Sequence, residues 1–277
     1  MSTTLQAPQH ADVRAHFSLR AMPLTRELAI EKRWQPDEHQ QVLAQMRRCV
    51  EQRMSCALIA PAGVGKSVLL RALRQSLPEA RYRVRYLNVT DLSKRDLCRE
   101  LSAVVGCQSA GHLGSLIKRL REHHERLLDE ESLRPVLLLD EAHDLRPEVL
   151  KMLRVLTNFE MDSRLVLSLV LCGQNPLRAM LRRAEMDAIR ARIAYYGTLR
   201  LLSRTESKDY VHYRCQLAGT QHELFDPAAY DAVYEAAQGN MRALDRLALA
   251  ALQEAASAGD SIVSSQHVIA ARQKVYP

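Results

Sequence analysis

The sequence predicts an α/β fold in which helices flank a parallel sheet, followed by a small all-helical domain. A glycine-rich segment ending in Lys-Ser follows an apolar run at residues 57–59, and a second apolar run at residues 136–139 ends in two carboxylates. Strand and helix patterns alternate up to about residue 202, after which only helical patterns remain. Such alternation is typical of parallel strands joined by right-handed helical crossovers.

Hydrophobic periodicity and capping residues predict the elements in chain order. Residues 1–16 are expected to be flexible, and residues 16–24 to form an ordered, irregular lead-in. Strands are predicted at 56–60, 83–89, 136–141 and 165–173. In the second strand the arginines at 81, 83 and 85 alternate with Tyr82, Val84 and Tyr86, which indicates a half-exposed strand. One helix is predicted to begin at a cap, Asp91 or Ser93, and to end at residue 105. The other predicted helices span residues 37–53, 66–77, 112–128, 147–158, 206–217, 227–237, 242–256 and 265–275.

Residues 60–67 read Ala-Pro-Ala-Gly-Val-Gly-Lys-Ser and are predicted to form a phosphate-binding loop between a strand and a helix. Its backbone N–H groups would face an anion, Lys66 would reach the β- and γ-phosphates, and the Ser67 hydroxyl could bind Mg²⁺. The segment resembles a Walker A motif, although Ala60 stands where the full pattern has glycine. A chance match in a surface loop is the alternative.

The run Val-Leu-Leu-Leu-Asp-Glu at residues 136–141 suits a central strand buried on both faces. Because ligands of open α/β sheets bind at the carboxyl ends of strands, its two carboxylates are expected beside the phosphate loop. The run resembles a Walker B motif, in which Asp140 would hold Mg²⁺ through water and Glu141 would orient or deprotonate the attacking water. A strand followed by an acidic helix cap would explain Asp140 alone, but not its combination with a phosphate loop.

The expected cofactors are therefore ATP and Mg²⁺. The metal would be held by Ser67 and Asp140. The residues expected to contact the nucleotide are Pro61, Ala62, Gly63, Val64, Gly65, Lys66, Ser67, Val68 and Asp140.

Composition excludes several classes of protein. The 277 residues are 47% hydrophobic and 26% charged, which is ordinary for a globular protein, and no stretch is apolar for the 18 residues that a membrane span needs. Residues 1–10 lack the pattern of a signal peptide. The six cysteines form no C-x-x-C pair and are expected to be reduced thiols, so we expect a cytoplasmic location.

The net charge of +7 allows an acidic partner, with nucleic acid the first candidate. Arginine supplies 32 of the 39 basic residues, which favours bidentate phosphate contacts. An arginine preference spread over a solvated surface explains the charge equally well, so composition leaves both interpretations open.

The two motifs and this layout resemble the AAA+ ATPases. The resemblance implies a nucleotide-binding α/β domain at residues 37–202 and a helical lid domain at 203–277, after an N-terminal extension at 1–36 that is partly flexible. It gives Gln174, at the end of a strand, the role of sensor 1, and Arg242, in the segment Gly-Asn-Met-Arg at 239–242, the role of sensor 2. Arg192 is the first choice, and Arg190 the second, for an arginine finger that a neighbouring subunit donates. An ordinary basic helix terminus is the alternative for both.

Four phrases resemble the ExeA-type subgroup, at residues 16–28, 137–145 (LLLDEAHDL), 156–163 (LTNFEMDS) and 169–176 (LVLCGQNP). The compact length resembles the transposition regulators of the TnsC, TniB and IstB kind. This resemblance implies an ATP-dependent homo-oligomer, a ring or helical filament, that binds duplex DNA with little sequence preference. Its partners would be a transposase and a target-selection protein. The alternatives are a secretion-accessory or signalling ATPase that acts on protein partners, or a helicase loader.

If the chain binds DNA, Lys94 and Arg95 are the best candidate contacts. Both fall in the first turn of a predicted helix, where the helix dipole disfavours cations, so their position calls for a functional reason. The contacts would go to the phosphate backbone. A second basic cluster at 118–121 is diluted by glutamates and is interpreted as a solvated face.

Overall fold

The structure, a computed structural model, describes residues 12–275. These residues divide into two compact units, one of residues 35–200 and one that combines residues 12–34 with residues 201–275. The N-terminal segment therefore packs with the C-terminal helices. Residues 1–11, where flexibility is predicted, lie outside the described part of the chain. Residues 13–16 do not fit that prediction, since Val13–His16 form a short helix, α1, with Val13 buried in its unit's core.

The unit of residues 35–200 is built on five parallel strands in the order β2-β3-β4-β1-β5. The strands are β1 (Ser55–Ile59), β2 (Tyr82–Asn88), β3 (Arg134–Asp140), β4 (Ser168–Gly173) and β5 (Ile193–Thr198). The helices are α2 (Asp37–Glu51), α3 (Lys66–Ser76), α4 (Lys94–Val105), α5 (Leu113–Asp129), α6 (Pro147–Thr157), α7 (Asn175–Leu181) and α8 (Asp187–Arg190). The predicted parallel α/β fold is confirmed.

The central strands are buried on both faces, as the apolar runs predict. Along β3, Val136 and Leu138 pack in a cluster with side chains of α2 and α3, whereas Leu137 and Leu139 pack in another with α4, α5 and α6. Alternation along a strand sends successive side chains to opposite faces, so one apolar run serves two helical layers.

Local sequence explains where several helices begin. Ser93, not Asp91, caps α4, because its Oγ accepts the backbone N–H of Asp96 at 3.2 Å. Asp91 instead pairs with Arg146. His112 caps α5 by accepting the N–H of Ser115 through Nδ1.

Two features differ from the sequence analysis. Strand β5 is not predicted, because its pattern of polar and aromatic residues is short and lies at a sheet edge. Tyr86, expected on the same face as the buried Tyr82, is 41% exposed near the end of the other edge strand.

The second unit holds α1, a 3₁₀ turn at Ile30–Lys32, and four longer helices: α9 (Arg204–Leu217), α10 (Pro227–Ala237), α11 (Met241–Ala258) and α12 (Ser265–Val275). Its apolar core includes Tyr210, Phe225, Leu244 and Leu252. Gly239 (φ 73°) precedes α11, and a Cβ there would lie 2.0 Å from the carbonyl oxygen of Leu202. Only glycine fits this approach of the two backbones.

All six cysteines lie in the described part of the chain and are free thiols. Five are buried and Cys107 is half-buried. Among residues 12–275, no helix combines the length and the apolar character that crossing a bilayer demands.

Candidate functional site

The carboxyl ends of β1, β3 and β4 lie together at one edge of the sheet. Ile59 of β1 pairs with Gly173 of β4, and β3, the neighbour of β4 on its other side, ends at Asp140. The residues that follow these strands are therefore neighbours in space. They carry the phosphate loop, Glu141 and Gln174, as the sequence analysis expects.

The phosphate loop follows β1 and ends where α3 begins. Gly63 (φ 78°) and Gly65 (φ 94°) both have left-handed backbone conformations, and Gly65 is the N-cap of α3. Residues with a side chain avoid this region, so the two glycines let the loop turn tightly into the helix. The N-terminus of α3 presents unpaired N–H groups and a positive dipole end, which suit a phosphate.

Ala60 departs from the full glycine pattern without distorting the loop. Its φ is not positive, it is buried, and its N–H donates to the carbonyl of Gly173 at 3.1 Å. Ala60 thus extends the backbone hydrogen bonding between β1 and β4 by one residue, and its methyl group is accommodated there.

Lys66 lies inside the loop, with only 6% of its surface exposed. Its Nζ donates to the carbonyl oxygens of Pro61, at 2.8 Å, and Ala60, at 3.2 Å. These bonds hold the ammonium group against the inner side of the loop, where a phosphate would bind.

Asp140 is buried, and each of its oxygens accepts hydrogen bonds. Oδ2 accepts from Ser67 Oγ at 3.0 Å and from the Tyr86 hydroxyl at 3.2 Å, while Oδ1 accepts from the N–H of Glu141 at 2.9 Å. Partial burial, and then the charge of Asp140, raise the pKa of Tyr86 to about 12, so the phenol keeps its proton and donates.

The oxygen donors of Ser67 and Asp140 fit Mg²⁺, a hard cation that binds hydroxyl, carboxylate and water oxygens beside phosphates. Mg²⁺ bound here would neutralise charge on the phosphate oxygens. Ser67 and Asp140 would hold the ion, and the buried carboxylate of Asp140 would contribute a negative charge to the metal site.

Glu141 follows directly and has a left-handed backbone (φ 55°), which is uncommon for a residue with a side chain. Its Oε2 lies 3.4 Å from Nδ1 of His143, and Nε2 of His143 lies 2.9 Å from Nε2 of Gln174. Gln174 follows β4 and precedes α7. The structure therefore brings together the phosphate loop, Asp140, Glu141 and Gln174.

Sequence analysis missed Tyr86 and His143. His143 stands in the LLLDEAHDL phrase, three residues after Asp140, and that spacing could have suggested it. Tyr86 had no comparable signal, because its contact with Asp140 depends on the pairing of β2 with β3.

The two finger candidates lie near the start of β5. Arg190 ends α8 and pairs with Asp187 at 2.7 Å, and Arg192 donates through Nη1 to the carbonyl of Ala188 at 2.6 Å. Arg190 is exposed and Arg192 is half-buried. A choice between them stays a prediction.

Arg242 is exposed in the first turn of α11, in the helical unit, after the N-cap Asn240. Lys94 and Arg95 are exposed in the first turn of α4. Arg95 donates through Nε to the carbonyl of Gly111 at 3.2 Å. Their roles in sensing nucleotide and contacting DNA stay predictions.

A family model described as an AAA domain matches residues 47–181, which include the phosphate loop, Asp140, Glu141 and Gln174. The α/β unit has the AAA+ P-loop fold.

The AAA+ assignment agrees with the solved structures to which this chain is similar. It is similar to Cdc6p of Pyrobaculum aerophilum (TM-score 0.70, 20% identity, 95% of this chain and 71% of that one). It is also similar to ORC1 of Aeropyrum pernix in complex with DNA (TM-score 0.66, 17% identity, 87% and 66%). A third is RuvB of Thermotoga maritima, a Holliday junction branch migration motor (TM-score 0.58, 14% identity, 87% and 69%). At these identities the likeness shows the fold alone.

One curated relative is similar over a longer stretch of sequence than the AAA domain model covers. The chain is 34% identical over 206 residues to the general secretion pathway protein A of Aeromonas hydrophila. The match takes in 73% of this chain but only 37% of that protein, so this chain corresponds to little more than a third of its relative. The similarity supports an AAA+ ATPase of the ExeA type.

Proposed function

We propose that this chain is an ExeA-type ATPase whose Mg-ATP cycle controls its assembly with itself and with a protein partner. The observation that carries the proposal is the 3.0 Å hydrogen bond from Ser67 to Asp140, which joins the phosphate loop to the acidic strand end. Lys66, Glu141 and Gln174 lie on the same sheet edge, which supports a site that binds the phosphates and orients the attacking water, to be completed by an arginine finger from a neighbouring subunit.

A protein partner is preferred because the relative that is 34% identical to this chain is a secretion pathway protein. This favours the secretion-accessory alternative over the transposition regulator that the compact length suggested. A small-molecule substrate other than the nucleotide is not needed, since an ATPase of this design uses the nucleotide to switch between conformations. A cytoplasmic location, with or without attachment to a membrane partner, is part of the proposal.

Sedimentation velocity and ATP hydrolysis together test this function. With Mg²⁺ and a slowly hydrolysed ATP analogue the chain should sediment as an oligomer, and with ADP or EDTA as smaller species. Wild-type protein should release phosphate from ATP only when Mg²⁺ is present. A chain that binds no nucleotide, or hydrolyses none at any protein concentration, would exclude the proposal.

Binding of duplex DNA is the second candidate, supported by the net charge of +7 and by the exposed Lys94 and Arg95. A neighbour in fold, ORC1, was solved in complex with DNA. In this version a homo-oligomer would assemble on duplex DNA and recruit a transposase, with hydrolysis controlling disassembly.

Fluorescence anisotropy with a labelled duplex separates the two candidates. If the ATP analogue raises duplex affinity at moderate salt, and Lys94→Glu with Arg95→Glu abolishes that gain, the transposition candidate replaces the secretion-like one. Lys118→Glu with Arg119→Glu is the matched charge control on α5. If nucleotide leaves DNA affinity unchanged, cross-linking in cells with the ATP-bound form should identify a protein partner.

A further inference from the structure

We propose that His143 is a positioning residue that joins the carboxylate of Glu141 to the amide of Gln174 in one hydrogen-bonded chain. The inference rests on the proposed ATPase function, because it concerns how Glu141 is held while it orients water. It adds a residue for which neither the motifs nor the comparisons supply a role.

The geometry places the imidazole of His143 between the two side chains. His143 lies in the 3₁₀ turn Ala142–Asp144 directly after Glu141, and its side chain is only 12% exposed. One ring nitrogen, Nδ1, faces Glu141 Oε2 at 3.4 Å, and the other, Nε2, faces the amide nitrogen of Gln174 at 2.9 Å. The ring thus connects the ends of two neighbouring strands.

The direction of the hydrogen bonds follows from the groups at each end. With the amide nitrogen of Gln174 toward the ring, as placed, this nitrogen donates and His143 Nε2 accepts. A neutral imidazole then carries its proton on Nδ1, where it points toward the carboxylate of Glu141. If the Gln174 amide were rotated by half a turn, its oxygen would face the ring and accept a hydrogen bond from Nε2. The lone pair of Nδ1 in the neutral ring would then face the Glu141 carboxylate, which is repulsive.

A second acidic group lies near Nε2. Asp144 Oδ1 is 3.6 Å from this nitrogen, beyond hydrogen-bond length, and the Asp144 side chain is half exposed to water. The closer amide of Gln174 therefore sets the direction of the chain.

The two inner atoms have no other partner. Glu141 Oε2 and His143 Nδ1 are both buried, and within residues 12–275 neither makes a hydrogen bond of good geometry. They face one another at 3.4 Å. Because a buried acceptor and a buried donor without partners are both unfavourable, a small rotation that closes this contact satisfies the two together.

Gly173 permits this arrangement. A Cβ at residue 173 would lie 3.2 Å from the backbone nitrogen of His143 and 3.0 Å from Cδ2 of Leu177. The bare backbone lets the turn at 142–144 approach the end of β4 closely enough for the ring to reach Gln174. A change in the Gln174 amide is then transmitted to Glu141 through one rigid ring.

Three substitutions test the link. His143→Ala should lower kcat about tenfold to a hundredfold while the Kd for a fluorescent ATP analogue stays unchanged, as is usual when a supporting group is removed. His143→Asn should recover most of the rate, because the amide of asparagine can donate from the place of Nδ1. His143→Gln should not, since its amide lies at the place of Nε2. Asp144→Asn, which alters the other neighbour of the ring, is the control and should leave kcat unchanged.

The tautomer gives a readout that needs neither nucleotide nor turnover. In ¹⁵N-histidine NMR spectra of the wild-type chain, the signal that disappears in His143→Asn should belong to a ring protonated on Nδ1. A ring protonated on Nε2 would overturn the proposal even if His143→Ala failed to fold. So would full kcat in His143→Ala.

A double-mutant cycle tests whether the two residues act as a unit. The variant with His143→Ala and Gln174→Ala should be no slower than the slower single variant, whereas independent roles would multiply the losses. If the wild-type chain hydrolyses no ATP, the proposed function fails and the tautomer still decides the geometry of the link.

Discussion

The hydroxyl of Ser67 donates a 3.0 Å hydrogen bond to Oδ2 of Asp140, across 73 residues of sequence. The first residue lies in the opening turn of α3 and the second ends β3. A hydroxyl oxygen and a carboxylate oxygen, both able to ligate a metal ion, are thereby in contact at the mouth of the phosphate loop. Since both are expected at the metal, their contact defines where Mg²⁺ would bind.

Ser67→Ala should raise the Mg²⁺ concentration needed for half-maximal ATP hydrolysis by about tenfold or more, because one of the two protein oxygens is lost. The measurement is a Mg²⁺ titration at saturating ATP. Ser76→Ala, at the other end of the same helix, removes only a bond to the carbonyl of Leu73 and should leave the titration unchanged. An unaltered Mg²⁺ requirement in Ser67→Ala would remove this serine from the metal site.

Glu141→Gln should keep nucleotide affinity and lower kcat by about 10² to 10⁴-fold, because an amide cannot accept a proton from the attacking water. Single-turnover hydrolysis and equilibrium binding of a fluorescent nucleotide separate the two effects. The variant should also remain in the oligomeric form with ATP. Rapid hydrolysis by Glu141→Gln would assign the base to another residue.

Arg192→Ala should leave nucleotide affinity of the single chain unchanged and lower turnover by about 10³-fold, the effect typical of a lost arginine finger. Arg190→Ala is the comparison for the second finger candidate, whose side chain pairs with Asp187. Mixing Arg192→Ala with Lys66→Ala tests donation between subunits. If the finger acts across subunits, the mixture should regain activity that neither variant has; no recovery would contradict this role.

Gly239→Ala should lower the free energy of unfolding by about 3 kcal/mol or more. The left-handed backbone alone costs an alanine about 1–2 kcal/mol, and the added methyl would also collide with the Leu202 carbonyl. Gly259→Ala is a matched control, with a similar φ of 81° and nothing within 4 Å of the new methyl. Equal losses in urea unfolding of the two variants would show that the contact with Leu202 is unimportant.

Asp245 makes the stability of the helical unit depend on pH. Burial raises the pKa of Asp245 to about 6, against the opposing effects of Arg214 and Tyr210, which bind its carboxylate. The folded chain then holds this proton more tightly than the unfolded chain, whose pKa is near 3.8. Stability from this group is present below about pH 4 and is lost as pH rises through about 6, by on the order of 3 kcal/mol.

Asp245→Asn removes the titrating group but keeps its shape. Relative to this variant, wild-type protein should lose unfolding free energy between pH 4 and pH 6.5, as measured by urea unfolding. A difference between the two proteins that stays constant over this range would contradict the raised pKa.

The sequence analysis predicted those parts of the site whose residues lie close together in the chain. A phosphate loop needs glycines, lysine and serine at close spacing, so Gly63, Gly65, Lys66 and Ser67 are visible in the chain itself. Asp140 and Glu141 are similarly marked by the apolar strand before them. The end of β4 is placed by the same reasoning, which brings Gln174 to the site.

Contacts that depend on pairing between distant segments were not predictable. Tyr86 reaches Asp140 only because β2 lies beside β3, and His143 reaches Gln174 only because Gly173 leaves room for the turn. Strand β5 was missed because its residues gain their strand conformation from β1, with which they pair. Local pattern carries little information about such edges.

Five of the six cysteines are buried, which limits the oxidation of their thiols. Burial raises the pKa of Cys98 to about 11 and of Cys215 to about 12, so these sulfurs stay protonated and out of reach of oxidants. Cys107, just beyond the end of α4, is the thiol on which alkylating reagents should act first. A single fluorophore could therefore be attached to the native chain without replacing any residue, just past the C-terminal end of the helix that begins with Lys94 and Arg95.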